Sequence, residues 1–288
     1  PPTATPACPR AACVPSEGST ASRTRPQRVT RLSVRSVKGS RLYPCYTRTA
    51  DRAPAGSPAG QLDDHSLRHL MITPPASAGT VAYRAGDSLY LNITNRCSSA
   101  CDFCIREWAD GVFGEDLRLD HEPDVGEVTQ AIEVAFMDGP AAEVVFCGFG
   151  EPTLRLDVVL SVTEWLRLRH IRSRLDTNGH GQLLNPDVDV AAALAAAGLD
   201  AVTISLNAAT PEEYDRVCRP VFGKSHRAVL RFAEQCGAHG METTLTAVDY
   251  PGADLPGVAD IAAAVGAGFR ARAYAPPRPR SAAEKGDQ

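Results

Sequence analysis

Three cysteines lie close together in the segment NRCSSACDFC, which covers residues 95–104. They are Cys97, Cys101 and Cys104, so their spacing is C-x3-C-x2-C. Thiols this close in sequence are typical of metal sites, but a structural zinc ion takes four ligands, usually as two distant C-x-x-C pairs. A [4Fe–4S] cluster also normally takes four cysteines. With three, one iron keeps an open position, which is where a substrate or cofactor can bind.

The remaining cysteines do not supply an obvious fourth ligand, because no second C-x-x-C pair follows the triplet. Cys147 lies in an apolar strand, and Cys218 and Cys236 lie on apolar helix faces. We expect these three thiols to pack in the protein core. The others, Cys8, Cys13 and Cys45, belong to the N-terminal part of the chain. A non-catalytic zinc or iron–sulfur module remains the alternative from another functional class.

Charge is distributed unevenly along the 288 residues. Residues 1–70 carry 11 Lys and Arg against 4 Asp and Glu, whereas the rest carries 19 against 30. The first part is rich in Pro, Ala, Arg and Ser and has no sustained apolar period, so it cannot bury enough surface to offset the entropy of ordering. We expect a disordered basic extension over 1–70, with a nucleic-acid-binding arm as the alternative. Our hypothesis is that the native folded protein starts near Met71.

No segment has the pattern of a secretion signal or a membrane span. Residues 1–30 contain no apolar core, and the longest apolar run, VAAALAAAGL, is shorter than the ~18 residues that a membrane-spanning helix needs. We therefore expect a cytoplasmic protein with no membrane partner. A reducing cytosol argues against a disulfide framework. The acidic charge of the remaining chain argues against nucleic acid as a partner, because such binding usually needs basic surface.

Strand-like and helix-like segments alternate from residue 88 onward, which predicts an α/β fold with a parallel sheet. Helical spacing of apolar residues, as at Val128, Ile132 and Phe136, separates the strands. Six strands are too few for an eight-stranded barrel, so an open doubly wound sheet and a partial barrel both fit. We expect a lead-in over 71–87 and a polar tail over 275–288. The predicted strands cover 88–94, 143–148, 172–178, 201–207, 241–249 and 269–274.

The residues best suited to chemistry fall where the predicted strands end. In parallel α/β folds, ligands bind at the carboxyl ends of the strands. The cysteine triplet follows the first strand, and strand 201–207 alternates so that Thr203, Ser205 and Asn207 share one polar face. This distribution predicts one shared site with a wet interior. The other segments at the same ends are GFGEP at 148–152, DTNGH at 176–180, Asp249, and Arg272 with Tyr274.

The triplet, with Phe103 before its last cysteine, resembles the signature of the radical S-adenosylmethionine (SAM) superfamily. GFGEP resembles that superfamily's Gly-Gly-Glu motif, and DTNG resembles the third-strand segment of its activating enzymes and of carboxy-deazaguanine synthase. More narrowly, LNITNRC, CDFCIR, FCGFGEPTLR, DTNGH and ISLNA together resemble the TatD-associated radical SAM proteins. The resemblance covers about residues 88–274. It implies a partial (β/α)6 TIM-like barrel with the cluster loop after the first strand.

The resemblance implies that Cys97, Cys101 and Cys104 hold a [4Fe–4S] cluster whose open iron binds SAM. Reductive cleavage of SAM then gives a 5′-deoxyadenosyl radical, which abstracts hydrogen from a substrate that the sequence does not name. The protein itself supplies position and shielding. An electron donor such as flavodoxin or ferredoxin is implied as a partner, and a TatD-type hydrolase is a further expected partner. We also expect a partner protein or an oligomer to close the open end of the barrel.

Other residues receive roles from the same resemblance. Gly148, Gly150 and Glu151 match the Gly-Gly-Glu motif, except that Phe149 separates the glycines; a plain turn after a strand is the alternative. The remaining expected cofactor-binding residues are Phe103 against the adenine, Ser205 and Asn207 on the ribose, Asp176 and Asn178 towards SAM or substrate, and Arg272 on the SAM carboxylate.

Each of these roles has an ordinary alternative. Phe103 could pack the loop, Ser205 and Asn207 could cap the following helix, and Arg272 could simply be solvated at the surface. His180 and Asp249 are candidates for the substrate side, although a single histidine is more often structural than catalytic.

Overall fold

The computed structural model of the protein describes residues 79–276. The predicted extension at 1–70, the first part of the lead-in and the end of the polar tail lie outside the described residues. The strands are β1 (Ala82–Ala85), β2 (Ser88–Asn92), β3 (Gly111–Val112), β4 (Glu115–Asp116), β5 (Glu143–Cys147), β6 (Ser173–Thr177), β7 (Ala201–Ser205), β8 (Glu242–Asp249) and β9 (Gly268–Ala273).

In the described part of the chain, seven strands form one sheet in the order β1-β2-β5-β6-β7-β8-β9. Six of these strands pair in parallel, namely β2, β5, β6, β7, β8 and β9. Strand β1 pairs antiparallel to β2 at one edge of the sheet. Strands β3 and β4 form a separate hairpin. Six parallel strands joined by helices give the predicted partial (β/α)6 barrel. Strand β1 lies in the segment that we expected to be only a lead-in.

Helices connect consecutive parallel strands. They are α1 (Val125–Met137), α2 (Leu156–Arg167), α3 (Gly181–Leu184), α4 (Val190–Ala197), α5 (Pro211–Cys218), α6 (Ser225–Ala238) and α7 (Leu255–Ala264), with short 3₁₀ turns at Ile105–Glu107 and Pro152–Arg155. Asp124 and Glu127 form a reciprocal capping box at the start of α1. Thr210 caps α5, and its side chain accepts a hydrogen bond from the backbone N–H of Glu213. None of the helices in residues 79–276 is long and apolar enough to cross a membrane.

The alternation of side chains along the strands builds the core and leaves a polar interior. Val202, Ile204 and Leu206 have no exposed surface and pack with the helices. Their neighbours Thr203 and Ser205 face the barrel interior, where they line a cavity. The interior next to β2 is filled instead by a small apolar cluster. That cluster consists of Tyr83, Leu117 and Phe149, with Tyr90, Ile105 and Val112 packed against it.

Candidate functional site

A cavity of about 350 Å³ opens at the carboxyl ends of the parallel strands. Its walls come from the loop after β2 and from the ends of β5, β6, β7 and β9. Strand ends that meet at one edge of a parallel sheet bring distant sequence segments together. All the residues for which the family resemblance implies a cofactor or metal role line this cavity: Cys97, Cys101, Phe103, Cys104, Gly148, Gly150, Glu151, Asp176, Asn178, Ser205, Asn207 and Arg272.

The cysteine loop is held against the chain that leaves helix α5. An antiparallel bridge pairs Ser99 with Pro220. The backbone N–H of Asp102 donates to the carbonyl of Val217 at 2.9 Å, and its carboxylate lies 2.8 Å from the guanidinium of Arg219. Arg219 adopts a left-handed backbone with φ of 43°, which ends α5 and turns the chain towards the loop. The loop that carries the thiols is therefore fixed by backbone pairing.

The pKa values of all three thiols are raised above the ordinary value of a cysteine. The pKa of Cys97 rises to about 11, mainly through burial and secondarily through the charge of Glu151. For Cys101 the largest cause is a hydrogen bond with the thiol of Cys218, and for Cys104 it is burial. Within residues 79–276, no group of three or more His, Cys, Asp or Glu side chains is arranged to hold a metal ion.

The residues at the cavity nevertheless fit an iron–sulfur group. Three thiols are a suitable donor set for iron and sulfide. Two buried donors beside them, Ser99 Oγ and Trp108 Nε1, have no hydrogen-bond partner among the described residues, and both residues line the cavity. Buried donors normally have partners, so these two are suited to an acceptor that the cavity would receive. A cluster held by Cys97, Cys101 and Cys104 would supply the electron for the cleavage of SAM.

Both glycines of the GFGE segment are packed tightly against the strand and loop of the cysteine triplet. A Cβ on Gly148 would lie 2.3 Å from Asn92 Oδ1, and a Cβ on Gly150 would lie 2.3 Å from the carbonyl oxygen of Thr94. Contacts within the protein thus require glycine at both positions. The intervening Phe149 is 7% exposed and packs in the small apolar cluster, so this departure from the family motif leaves Glu151 at the cavity.

The carboxylate of Glu151 is buried and hydrogen-bonded by the protein. Its Oε1 accepts from the backbone N–H and hydroxyl of Thr153, at 3.1 and 2.6 Å, and from the hydroxyl of Thr177 at 2.6 Å. Its Oε2 accepts from the backbone N–H of Asn178 at 2.7 Å. Burial raises the pKa of this carboxyl, and the hydrogen bonds oppose that effect. Glu151 therefore connects the end of β5 with the end of β6. Of its two carboxylate oxygens, only Oε2 can accept a further hydrogen bond from a ligand.

Strand β6 ends in a polar network next to the first cysteine. Asn178 Nδ2 lies 2.9 Å from Ser98 Oγ and 3.7 Å from the sulfur of Cys97. Asp176 is paired with Arg174, while burial raises its pKa. His180 has no exposed surface and does not line the cavity. The expectation that His180 reaches a substrate is therefore wrong: its ring nitrogens are engaged by two hydroxyl groups within the fold.

The residues at the ends of β7 and β9 line the cavity next to each other. The guanidinium of Arg272 donates to Ser205 Oγ at 3.3 Å. Asn207 has a left-handed backbone with φ of 63°, and its Oδ1 accepts from the backbone N–H of Val248 at 3.2 Å. Neither Ser205 nor Asn207 caps the next helix, which is capped by Thr210. Asp249 is exposed at the end of β8 and does not line the cavity, so the structure does not place it with the others.

Phe103 presents a flat apolar surface to the cavity. Its ring stacks on that of Tyr250, with centroids 5.5 Å apart and planes inclined by 16°. The hydroxyl of Tyr250 donates to Glu213 Oε1 at 2.8 Å, which fixes the supporting ring. Phe103 is consequently held on one face and remains available at the cavity.

Sequence reasoning missed several residues of this cavity. Cys147 and Cys218 line it, although both were expected to serve only core packing. For Cys147 a signal was present, because alternation along β5 buries Val144 and Phe146 on one face and turns residue 147 to the other. For Cys218 no sequence signal existed, since its position depends on the pairing between α5 and the cysteine loop. Cys236 is buried in the core as predicted, and Arg270 and Trp108 also line the cavity.

Comparison with known proteins gives a consistent family. The model of the radical SAM superfamily matches residues 91–263. A GTP 3′,8-cyclase of Corynebacterium glutamicum strain R is 29% identical over 234 residues, which cover 77% of this chain and 59% of that protein. A GTP 3′,8-cyclase of Streptomyces coelicolor is 31% identical over 181 residues, which cover 62% of this chain and 47% of that protein. The chain thus spans roughly half of the length of these curated relatives.

Solved structures show the same fold. The crystal structure of Streptococcus suis SuiB bound to S-adenosylmethionine superposes with a TM-score of 0.52 at 16% identity, covering 66% of this chain and 41% of that chain. SuiB bound to the precursor peptide SuiA gives a TM-score of 0.53 and covers 66% and 39%. The family model accounts for more than half of the sequence, including the cysteine triplet and all but the last of the cavity-lining strand ends. This chain belongs to the radical SAM superfamily of enzymes, whose cofactors are a [4Fe–4S] cluster and S-adenosylmethionine.

Proposed function

We propose that Cys97, Cys101 and Cys104 hold the cluster and that the cavity beside them binds SAM for reductive cleavage to a 5′-deoxyadenosyl radical. The observation that carries this proposal is the convergence of the triplet with the GFGE segment and the ends of β6, β7 and β9 on one cavity. In the proposal Phe103 contacts the adenine, and Ser205 and Asn207 contact the ribose. Arg272 pairs with the SAM carboxylate, because a guanidinium forms bidentate bonds with carboxylates.

Glu151, Asn178 and Asp176 complete the proposed SAM site. The remaining acceptor capacity of Glu151 Oε2 suits the SAM ammonium, since charge-assisted hydrogen bonds to carboxylates are strong. Gly148 and Gly150 position that carboxylate through their contacts with the β2 strand and loop. Asn178 orients the Cys97 loop, and Asp176 lies further along the same strand face.

For the substrate we propose a purine nucleoside triphosphate, with GTP as the first compound to test. Two of the curated relatives are GTP 3′,8-cyclases. In addition, Arg270 on β9 lines the cavity together with Arg272, and a guanidinium group that is not used by SAM can recognise phosphates well. The resemblance to the TatD-associated subgroup, the TatD-type hydrolase partner, the cytoplasmic location and a flavodoxin or ferredoxin as electron donor stay predictions from the sequence.

The experiment is anaerobic reconstitution of the full chain with iron and sulfide, followed by reduction in the presence of SAM. The expected product is 5′-deoxyadenosine together with methionine, from a brown protein with broad visible absorption. The variant Cys101→Ala should lose the cluster and the SAM cleavage while keeping the wild-type circular dichroism. The matched control is Cys236→Ala, because Cys236 is also a buried cysteine but lies away from the cavity.

Two outcomes separate the parts of this proposal. A colourless protein that retains zinc would decide for a non-catalytic metal module, and a Cys101→Ala variant that keeps its iron would overturn the ligand assignment. Substrate identity is tested separately with GTP deuterated on the ribose. Transfer of deuterium into 5′-deoxyadenosine supports a nucleotide substrate. SAM cleavage without transfer from GTP would reject GTP and leave the radical SAM chemistry in place.

A further inference from the structure

Two neighbouring cysteines of the cavity, Cys101 and Cys218, have no joint role in the proposed chemistry. The backbone N–H of Ala100, directly before Cys101, donates to the carbonyl of Cys218 at 3.2 Å, and both cysteines line the cavity. We infer that these two cysteines form a reversible disulfide when the cluster is absent, so that the pair is an oxidation site that removes one cluster ligand. The effect on cluster binding rests on the proposed function, whereas formation of the bond does not.

The backbone brings the two cysteines into register. Ser99 and Pro220 form an antiparallel bridge with backbone hydrogen bonds on either side of it. The residues on either side of Cys101 are bonded to the end of helix α5, since the N–H of Ala100 donates to the carbonyl of Cys218 at 3.2 Å and the N–H of Asp102 donates to that of Val217 at 2.9 Å. Cys101 therefore lies beside Cys218. A disulfide joins cysteines whose backbones are close, with Cα atoms about 4.4–6.8 Å apart, so this pairing suits a bridge.

Further contacts hold each cysteine in this register. The side chain of Arg219, directly after Cys218, donates to the carbonyl of Ala100 at 2.6 Å, directly before Cys101. Asn207 Nδ2 lies 3.8 Å from the sulfur of Cys218 and orients that thiol towards the cavity. Because the flanking backbone is already fixed, the bond requires rotation of side chains rather than rearrangement of the loop.

The chemistry balances with an external two-electron oxidant. Each thiol loses one hydrogen, a sulfur–sulfur bond forms, two protons pass to solvent and two electrons pass to the oxidant. A low-molecular-weight disulfide can serve by thiol–disulfide exchange, in which it is reduced to two thiols. A dithiol reductant reverses the reaction. Iron bound to the sulfur of Cys101 would block the bond, so we expect the cluster-loaded protein to resist it.

The test uses the metal-free full chain treated with diamide at about pH 8.5, where more of the reacting thiolate is present. Trypsin with a protease that cleaves before Asp separates Cys101 from Cys104, because Asp102 lies between them. We expect a linked pair of peptides, 97–101 with 217–224, whose fragmentation places the bond at Cys101 and Cys218. The variant Cys218→Ser should lose this product, and Cys236→Ser should keep it.

Iron uptake provides the second readout. Oxidised wild-type protein should take up little iron until dithiothreitol is added, whereas oxidised Cys218→Ser should take up iron without it. Cys218→Ala is a second variant that should also take up iron without dithiothreitol. If its circular dichroism equals that of the wild type, a folding defect does not explain the result. Absence of the linked peptides from wild type, or a bond from Cys97 or Cys104 instead, would overturn the inference. If the linked peptides form but no reduced variant binds a cluster, the proposed function fails and the disulfide stands.

Discussion

The hydroxyl of Ser98 lies 2.9 Å from Nδ1 of His180, so the residue after the first cysteine of the triplet is bonded to a histidine with no exposed surface. Nε2 of the same ring lies 2.9 Å from the hydroxyl of Tyr214. A neutral imidazole has one donor and one acceptor nitrogen, which matches two hydroxyl partners. The network therefore joins the cysteine loop, the end of β6 and helix α5 through a neutral ring.

This arrangement predicts a loss of stability in mild acid. Burial lowers the pKa of His180 from 6.5 to about 4. Between these values the unfolded chain binds a proton that the native chain does not, so the free energy of unfolding falls as the pH falls. The slope is about 1.4 kcal/mol per pH unit, giving a total of about 3 kcal/mol. Denaturant unfolding at several pH values between 4 and 7 measures it.

A variant isolates the contribution of this one ring. His180→Gln has no titrating group at this position, so its unfolding free energy should depend less steeply on pH than that of the wild type, by about 1.4 kcal/mol per unit. The matched control is His239→Gln, which changes an exposed histidine at the end of α6. Equal slopes in His180→Gln and wild type would show that the ring titrates normally.

Much of the fold follows from local sequence patterns. Strand β8 was predicted at 241–249 and is observed at Glu242–Asp249, because alternating β-branched residues mark a strand of a parallel sheet clearly. Strand β1 was missed, since four residues of mixed polarity form a strand only through their pairing with β2. The two-residue strands of the β3–β4 hairpin carry too few positions for any period to be detected.

The candidate site likewise contains residues that could be predicted from the sequence and residues that could not. Residues at strand ends were predicted because parallel topology gathers those ends, and Asp176 and Ser205 line the cavity accordingly. Contacts between loops were not predictable, since they depend on where the chain turns after α5. That turn places Cys218 beside the cysteine loop, where its carbonyl accepts from the N–H of Ala100, and His180 is buried instead of exposed.

Glu151→Gln should destabilise the fold. An amide can accept at only one of its two terminal atoms, but the carboxylate accepts from Thr153 and Thr177 on Oε1 and from the Asn178 backbone on Oε2. The amide nitrogen would therefore face a donor, at a cost of about 1–3 kcal/mol in unfolding free energy. The control Glu234→Gln changes an exposed carboxylate on α6 and should alter stability by less than about 0.5 kcal/mol. Equal stabilities by denaturant unfolding would contradict the hydrogen-bond assignment.

Alanine at Gly150 should be poorly tolerated. Its Cβ would lie 2.3 Å from the carbonyl oxygen of Thr94 and 2.4 Å from that of Arg96, and backbone atoms cannot yield as a flexible side chain does. Overpacking of this kind costs about 1–3 kcal/mol or more. The matched variant Gly237→Ala lies within α6, and no atom of the other residues in 79–276 stands within 4 Å of the new Cβ. It should stabilise the protein by about 0.5–1 kcal/mol, since alanine is the better helix former. Thermal or denaturant unfolding of both variants checks the opposite signs.

Phe103→Ala should weaken SAM binding to the cluster-loaded protein. Stacking of a base on an aromatic side chain is worth about 1–3 kcal/mol by alanine substitution, so the dissociation constant should rise about 5- to 150-fold. Calorimetry under anaerobic conditions measures it, and iron content must match the wild type for the comparison to hold.

A second variant distinguishes contact with the adenine from support of the loop. Tyr250→Phe keeps the ring on which Phe103 stacks and removes the hydroxyl bonded to Glu213. If Phe103 contacts the adenine, Tyr250→Phe should bind SAM within about a factor of two of the wild type, because the apolar surface facing the cavity is unchanged. If Phe103 only packs the loop, Phe103→Ala should lower stability and leave the SAM dissociation constant unaltered. The ratio of the affinity change to the stability change in these two variants therefore assigns the role of the ring.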